Sequence, residues 1–547
     1  MTSKRGPSQE NALRVAATGA SYNAALHFSL RIITFALNAI AIRWLNQEII
    51  GVANVRLALL YTTVGFISKE PFRKALIGQA ENRSWRQTIN LTWGSFPFSI
   101  CLAFFFGFLW IKAFTEPDVD YYRVSVCLYA FSAVLETMAE PLFIISQSFL
   151  FVRTRVIIEG IGFIIQCIVT ALLAIVCPSW GVLAYSFGIV IYSSIYVFLY
   201  FFYFGKILLS DEFQKKHSNV DVTKRRQLWP HFIDSKPLID RKSFQLVRSF
   251  VTQSLLKQIL TEGERYVMTL FGLLTFAEQG VYDVVNNLGS MIARFLFRPM
   301  EESFYIFFSN LLDRSCSADK QDKGKIELAA RTLKNLLTFA TLVGMTAVVF
   351  GYSYSYLALD LYGGKTLSTD PGPTLLRWYA FYVLVIAVNG LTECFYFAAM
   401  SQEKVNQYNK YMFIFSALFL VSAVMLIREF GPVGFILANC LNMLLRIINS
   451  IIFIRSYFRE SQCKPLWGLK LSNEFLLGLT ISGIVAALSQ EWFCCDKGIF
   501  LLFFHVAVGG LLCVILLVII VMKEKELKVF ITTHFFKKQK GNEPKTD

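Results

Sequence analysis

QILTEGERYVM (258–268), a short apolar run, and GVYDVVNNLGSMIARFLFRPMEESFYIFF (280–308) form the stretch on which the rest of the chain is read. It is apolar enough to lie in lipid. Yet Lys257, Glu262, Glu264, Arg265, Arg294, Arg298, Glu301 and Glu302 sit within or beside its apolar spans. A charge at the bilayer centre costs about 2.5 to 3.5 kcal/mol even on a lenient insertion scale, so such groups persist where they face one another or a wet cavity. The stretch therefore predicts membrane helices that border a hydrated site.

Working outward, the composition agrees. Of 547 residues, 55% are hydrophobic and only 17% charged, and the mean hydropathy is +0.50. These values exclude an ordinary soluble domain and predict an all-α polytopic membrane protein. Apolar runs of about 20 residues, the length a spanning helix needs, recur along nearly the whole chain. They predict fourteen transmembrane helices, the fourth over 122–149, the seventh over 248–274 and the eighth over 278–309. Helices 1–6 form an N-lobe (1–205), followed by a basic cytosolic linker (206–247). A C-lobe (248–456) holds helices 7–12, helices 13–14 occupy 457–522, and 523–547 is a basic cytosolic tail. The net charge of +15 is explained by Lys and Arg retained in cytoplasmic loops, and nucleic-acid binding is excluded. Alternation of basic and acidic loops predicts both termini on the cytosolic side, with the first helix serving as the targeting signal.

A repeat supports two lobes. Gly51 to Lys69 laid on Gly280 to Arg298 matches at Gly51/Gly280, Val52/Val281, Val55/Val284, Leu59/Leu288 and Phe66/Phe295. Lys69 falls opposite Arg298, and a proline follows each within two residues. Two even-numbered halves share one orientation, which predicts pseudo-symmetric lobes around a central cavity.

Charged side chains inside the spans are the candidate site. Arg31 lies in the first span, Arg56 in the second, Lys257 and Arg265 in the seventh, Arg294 and Arg298 in the eighth, and Arg446 in the twelfth. A cation excess of this kind suits a phosphate or diphosphate, bound through charge-assisted hydrogen bonds. Lys69, Glu70 and Arg73, near a cytoplasmic helix end, read as snorkelling or gate residues. The competing reading is that these are internal ion pairs that fasten helices together. Prolines beside charges, at Glu70-Pro71, Glu140-Pro141 and Arg298-Pro299, mark kinks or helix ends.

Two enzyme-like motifs fail. GGKT (363–366) resembles the end of a phosphate loop, but Leu359 stands where the first glycine is required. Asp118 and Asp120 resemble the acid pair of a metal-dependent sugar transferase, in a loop with no partner acids. No catalytic residue, cofactor or metal is expected, and the sequons at Asn82 and Asn90 are expected to carry no glycan.

KQILTEGERYVMT, QGVYDVVNNLGSMIARFLFRPMEESFYIFF, ALDLYGGKTLS, NGLTECFYFAAMS and VGFILANCLNM closely resemble the eukaryotic lipid-linked oligosaccharide translocation proteins of the endoplasmic reticulum. RIITFALNAIAIRWL and EIIGVANVRLALLYTT match as well. That family belongs to the exporter superfamily of multidrug extruders and the bacterial lipid II flippase. The resemblance implies a two-lobed fold and movement of a mannose-rich dolichyl-diphosphate oligosaccharide from the cytosolic to the lumenal leaflet for N-glycosylation. It implies diphosphate contacts from Arg31, Arg56, Arg294 and Arg298, with Lys257, Arg265 and Arg446 as further candidates, and Glu262, Glu264, Glu301 and Glu302 as groups that orient those cations or act in gating. Membrane lipids and the N-glycosylation machinery are the other partners implied. A non-transporting receptor for the same lipid, an ion-coupled small-molecule antiporter and a dolichol-dependent transferase are the alternatives.

Overall fold

The computed structural model describes residues 33, 35–77, 84–149, 151–216, 222, 224–232, 237–313, 321–495, 498–524, 526, 527 and 529. Arg31 and the Asn82 sequon lie outside them. The described residues are helical throughout and divide into two compact units, Met1–Gly280 and Val281–Asp547.

The first unit contains α1 (Phe35–Trp44), α2 (Gln47–Leu76), α3 (Trp85–Lys112), α4 (Tyr122–Thr137), α5 (Glu140–Ser148), α6 (Arg153–Val176), α7 (Val182–Leu208), α8 (Arg241–Thr261) and α9 (Gly263–Phe271). Then α10 (Phe276–Gly289) crosses the unit boundary. The second unit continues with α11 (Arg298–Leu311), α12 (Lys323–Gly363), α13 (Gly372–Ala399), α14 (Gln402–Phe430), α15 (Val433–Tyr457), α16 (Asn473–Phe493) and α17 (Ile499–Lys523). Nine helices among the described residues are long and apolar enough to span a bilayer, ten if α4 and α5 count as one bent span.

Where the helices break is decided by local chemistry. The interval predicted as one fourth helix is two, bent by 46° after Thr137. Pro141 sits in the first turn of α5, the place where its missing N–H costs nothing. The predicted seventh helix likewise divides at Glu262, between α8 and α9. Asp240 starts α8 by accepting the Ser243 N–H at 2.9 Å, so one orphan donor is satisfied. Two helices carry a π turn next to an arginine: Val52–Leu57 within α2 holds Arg56, and Ala293–Phe297, just before α11, holds Arg294.

The glycines that head the two repeats meet in the first unit. A Cβ on Gly51 would overlap the Phe276 carbonyl, and one on Gly280 would come within 2.7 Å of the Gly51 nitrogen. Backbones of α2 and α10 touch there because neither residue has a side chain. Around α2 the core is built from large rings, among them Trp85, Tyr196, Tyr200 and Phe204, all less than 2% exposed. The Asn90 sequon is consumed by structure: its carboxamide donates to the His231 carbonyl at 2.8 Å and accepts the His231 N–H at 3.1 Å.

Two outcomes follow from this packing. Gly51→Ala or Gly280→Ala lowers stability by about 1 to 3 kcal/mol through overpacking, whereas Gly107→Ala, with nothing within 4 Å of its Cβ, is neutral or slightly stabilising; thermal unfolding in detergent measures both. The Ser243 hydroxyl and backbone N–H, bonded to the Asp240 carboxylate, hold its pKa below the ordinary aspartate value. A depressed carboxylate stabilises above its unfolded pKa of about 3.9 and loses that contribution as pH falls through the folded value. Protection of the first turn of α8 against hydrogen exchange, corrected for the intrinsic pH dependence of amide exchange, should therefore fall on acidification below about pH 4, and Asp240→Asn should flatten that response.

Candidate functional site

Two residues of α2 one turn apart face two residues that flank the α4–α5 break. Lys69 Nζ lies 3.0 Å from Glu136, which also accepts the Tyr61 hydroxyl. Arg73 grips Glu140 bidentately, with Nε to Oε2 at 2.8 Å, and its guanidinium lies over the Phe143 ring at 3.8 Å. The Glu140 side chain is wholly buried. Spacing of four on both helices makes the pairs register together, since residues i and i+4 share a face. Lys69 and Arg73 are thus fasteners of a broken span. Glu70, on another face of α2, holds Lys257 of α8 at 2.9 Å.

Arg56 is in a different condition. It is 3% exposed, donates from Nε to the Tyr122 hydroxyl at 3.1 Å, and lies among the rings of Phe114, Tyr122 and Phe276 at 5.4 to 5.9 Å. Its backbone carbonyl accepts the Trp110 indole N–H at 3.0 Å. No carboxylate among the described residues pairs with it, and its Nη2 has no hydrogen-bond partner. Three cation–π contacts at about 0.5 to 2 kcal/mol each offset part of the desolvation cost of a buried guanidinium, which runs to several kcal/mol.

In the second unit Arg446 is bound to Glu393 by two hydrogen bonds, Nε to Oε1 at 2.7 Å among them, and Glu393 also accepts from Tyr408 at 2.5 Å. Asn389, one turn earlier on α13, donates to Glu393 at 3.3 Å. Beside them is a cavity of about 420 Å³ lined by Glu301, Glu302, Glu393, Asn389 and Arg446, with Tyr305 and Met443. Glu301 enters because Gly390 has no Cβ to displace it. Carboxylates outnumber cations three to one here, the reverse of the cation excess expected along the spans.

The remaining candidates divide by partner. Arg298 lies 3.4 Å from Glu302 with both side chains exposed, and Arg265 bonds Glu262 at 3.0 Å. Glu264 opens α9, in its first turn. Arg294 is exposed, with Nη2 3.3 Å from the Asn287 side-chain oxygen and no carboxylate partner among the described residues. Lys257, Arg265, Arg298 and Arg446 are therefore neutralised locally, while Arg56 and Arg294 are not. Glu136 and Glu393 were missed by sequence reading. Their signal is an acid alone in an apolar span, and for Glu136 the i, i+4 match of Glu136 and Glu140 to Lys69 and Arg73.

Removing one member of a buried pair strands the other. Glu140→Gln should lower the unfolding free energy by about 3 to 5 kcal/mol, and Arg73→Met with Glu140→Leu should cost less than the sum of the single changes. A double-mutant cycle by thermal melting gives the coupling; a value near zero would remove the fastener.

Comparison with known proteins adds sequence and fold relations. The family model "Rft-1: Rft protein" matches residues 15–533. The chain is 44% identical over 527 residues to the Man(5)GlcNAc(2)-PP-dolichol translocation protein RFT1 of Xenopus tropicalis, covering 96% of this chain and 97% of that protein. It is 42% identical to the protein of that name in Mus musculus, with the same coverage. Against the Saccharomyces cerevisiae protein it is 25% identical over 495 residues, covering 82% and 84%. In fold it is similar to the lipid II flippase MurJ in an inward closed conformation, with a TM-score of 0.58 at 12% identity over 91% of this chain and 98% of that one. An inward-facing multidrug resistance MATE family transporter of the MOP superfamily gives 0.53 at 11% identity over 80% and 99%. The chain belongs to the Rft protein family.

Proposed function

We propose that the protein is a glycolipid flippase that moves a mannose-rich dolichyl-diphosphate oligosaccharide from the cytosolic to the lumenal leaflet of the endoplasmic reticulum membrane. It does so as a multi-pass, non-enzymatic transporter with fourteen spans, two six-helix lobes and both termini cytosolic. Near full-length identity to relatives carrying the name Man(5)GlcNAc(2)-PP-dolichol translocation protein supports the substrate.

The observation that carries the reading is Arg56. A buried guanidinium with a free Nη2 and no carboxylate burdens the fold, and chains retain such a burden where function needs it. Its location in a π turn matches Arg294, the other candidate cation without an acid partner, and π turns occur frequently at functional sites. A diphosphate supplies the anion that Arg56 lacks, through short charge-assisted bonds. The polyprenyl tail stays in lipid, and the rings of Phe114, Tyr122 and Phe276 close over Arg56 when no headgroup is engaged. Arg298 and Arg446, loosened from Glu302 and Glu393, are the next cations in line. Arg31 stands with them by resemblance.

Vesicle reconstitution tests this. Purified protein should move labelled dolichyl-diphosphate oligosaccharide to the opposite leaflet. Arg56→Met should slow movement at least about tenfold, the value of one lost charged hydrogen bond, while thermal stability changes by no more than about 1 kcal/mol because an apolar isostere relieves the desolvation. Lipid that stays on its original leaflet under every imposed gradient contradicts transport and leaves a receptor. Full movement by Arg56→Met contradicts the role of the arginine.

A further inference from the structure

Residues 224–232 and 237–238, between α7 and α8, are pinned by side chains of α3. Trp93 Nε1–H donates to the Leu228 carbonyl at 2.9 Å, Gln87 to the Pro237 carbonyl at 2.7 Å, and Asn90 binds both backbone groups of His231. Leu228 is buried. The Trp229 ring stacks on Trp93 (centroids 5.0 Å apart, 21°) and on Phe201 (5.4 Å, 26°).

What this strap presents outward is of one kind. Lys224, Arg225 and Arg226 are exposed on one side of the turn, and Arg241, Lys242 and Arg248 on the other. Between them Phe232 is 86% exposed, and Phe244 is 51% exposed. From Val222 to Arg248, Asp240 is the one described carboxylate, and it is occupied in capping α8. The pinned backbone prevents Phe232 from folding back onto the core, and ordering before contact lowers the cost of docking.

An exposed aromatic ring flanked by clusters of cations is the chemistry of a bilayer surface. The ring suits the headgroup level, and each Lys or Arg is drawn to anionic lipid within a Debye length. The strap is bonded to Gln87, Asn90 and Trp93 in the first turns of α3, a helix apolar enough to cross a membrane, and a strap tied to the end of a spanning helix falls at headgroup level. We propose that the described parts of this strap, residues 224–232 and 237–248, dock onto anionic phospholipid of the leaflet they border, with Phe232 as the inserted ring and Lys224, Arg225, Arg226, Arg241, Lys242 and Arg248 as the charge reader. A soluble partner protein would have to compete with that surface for the same residues. This inference does not depend on the transported substrate.

Hydrogen exchange on the full chain in nanodiscs tests it. Discs of phosphatidylcholine alone are compared with discs containing about 30% phosphatidylserine, at low salt and at about 0.5 M salt. Backbone amides of the strap should exchange at least about fivefold more slowly in the anionic discs at low salt, and high salt should erase the difference. Combined Lys224→Gln, Arg225→Gln and Arg226→Gln, and separately Phe232→Ser, should remove it as well. The salt dependence of the unmodified chain stands whether or not the variants fold. Equal exchange in both discs overturns the proposal. So does protection that appears in neutral discs only on adding a polyprenyl diphosphate, or only on adding a cell extract.

Discussion

Charge that cannot reach water must be matched by charge, and in the first unit one such match organises the helices. Lys69 and Arg73 on α2 meet Glu136 and Glu140 on either side of the α4–α5 break. A break in a spanning helix leaves backbone groups without their partners. Here the bend of 46° is held between two ion pairs and a ring stacked under Arg73. Because severing either pair would strand a charge, the bend is fixed far more firmly than Pro141 alone could fix it.

The same helix carries the opposite situation at its other end. Arg56 lies thirteen residues before Lys69, roughly 20 Å along a helix at 1.5 Å per residue. There the guanidinium is enclosed by rings and lacks an acid. Toward one end of α2 the charges are paired, and toward the other a guanidinium nitrogen has no hydrogen-bond partner. Arg294 in the second unit shares the π turn and the lack of a carboxylate partner among the described residues, but it is exposed where Arg56 is buried. The acidic cavity beside Glu301 and Glu393 lies in the same unit and would repel a diphosphate brought to it alone.

Much of the helical architecture was legible in sequence because runs of about 20 apolar residues are a coarse, strong signal. The close approach of Gly51 and Gly280 was not legible, because matching the two segments by sequence does not say which residues touch. Breaks inside predicted helices were harder. Thr137 does not stand out in a hydropathy profile, Glu262 stands out as a charge and not as a helix end, and a π turn depends on one extra residue within a helical turn. Ion partners were hardest. Whether Arg446 is a ligand for substrate or a partner of Glu393 depends on how α13 and α15 cross, which spacing along one helix does not encode. Separating Arg56 from Arg73, two arginines of one apolar helix, required seeing which of them had an acid opposite.

The central claim is that an anionic headgroup completes the unpaired guanidinium of α2. The most direct measurement is a structure of the protein with a dolichyl-diphosphate glycolipid bound. Phosphate oxygens within about 3.2 Å of Arg56 Nη2, with Phe276 or Phe114 displaced from the guanidinium, are the predicted result. A bound lipid whose phosphates lie elsewhere while Phe114, Tyr122 and Phe276 still enclose Arg56 would contradict it.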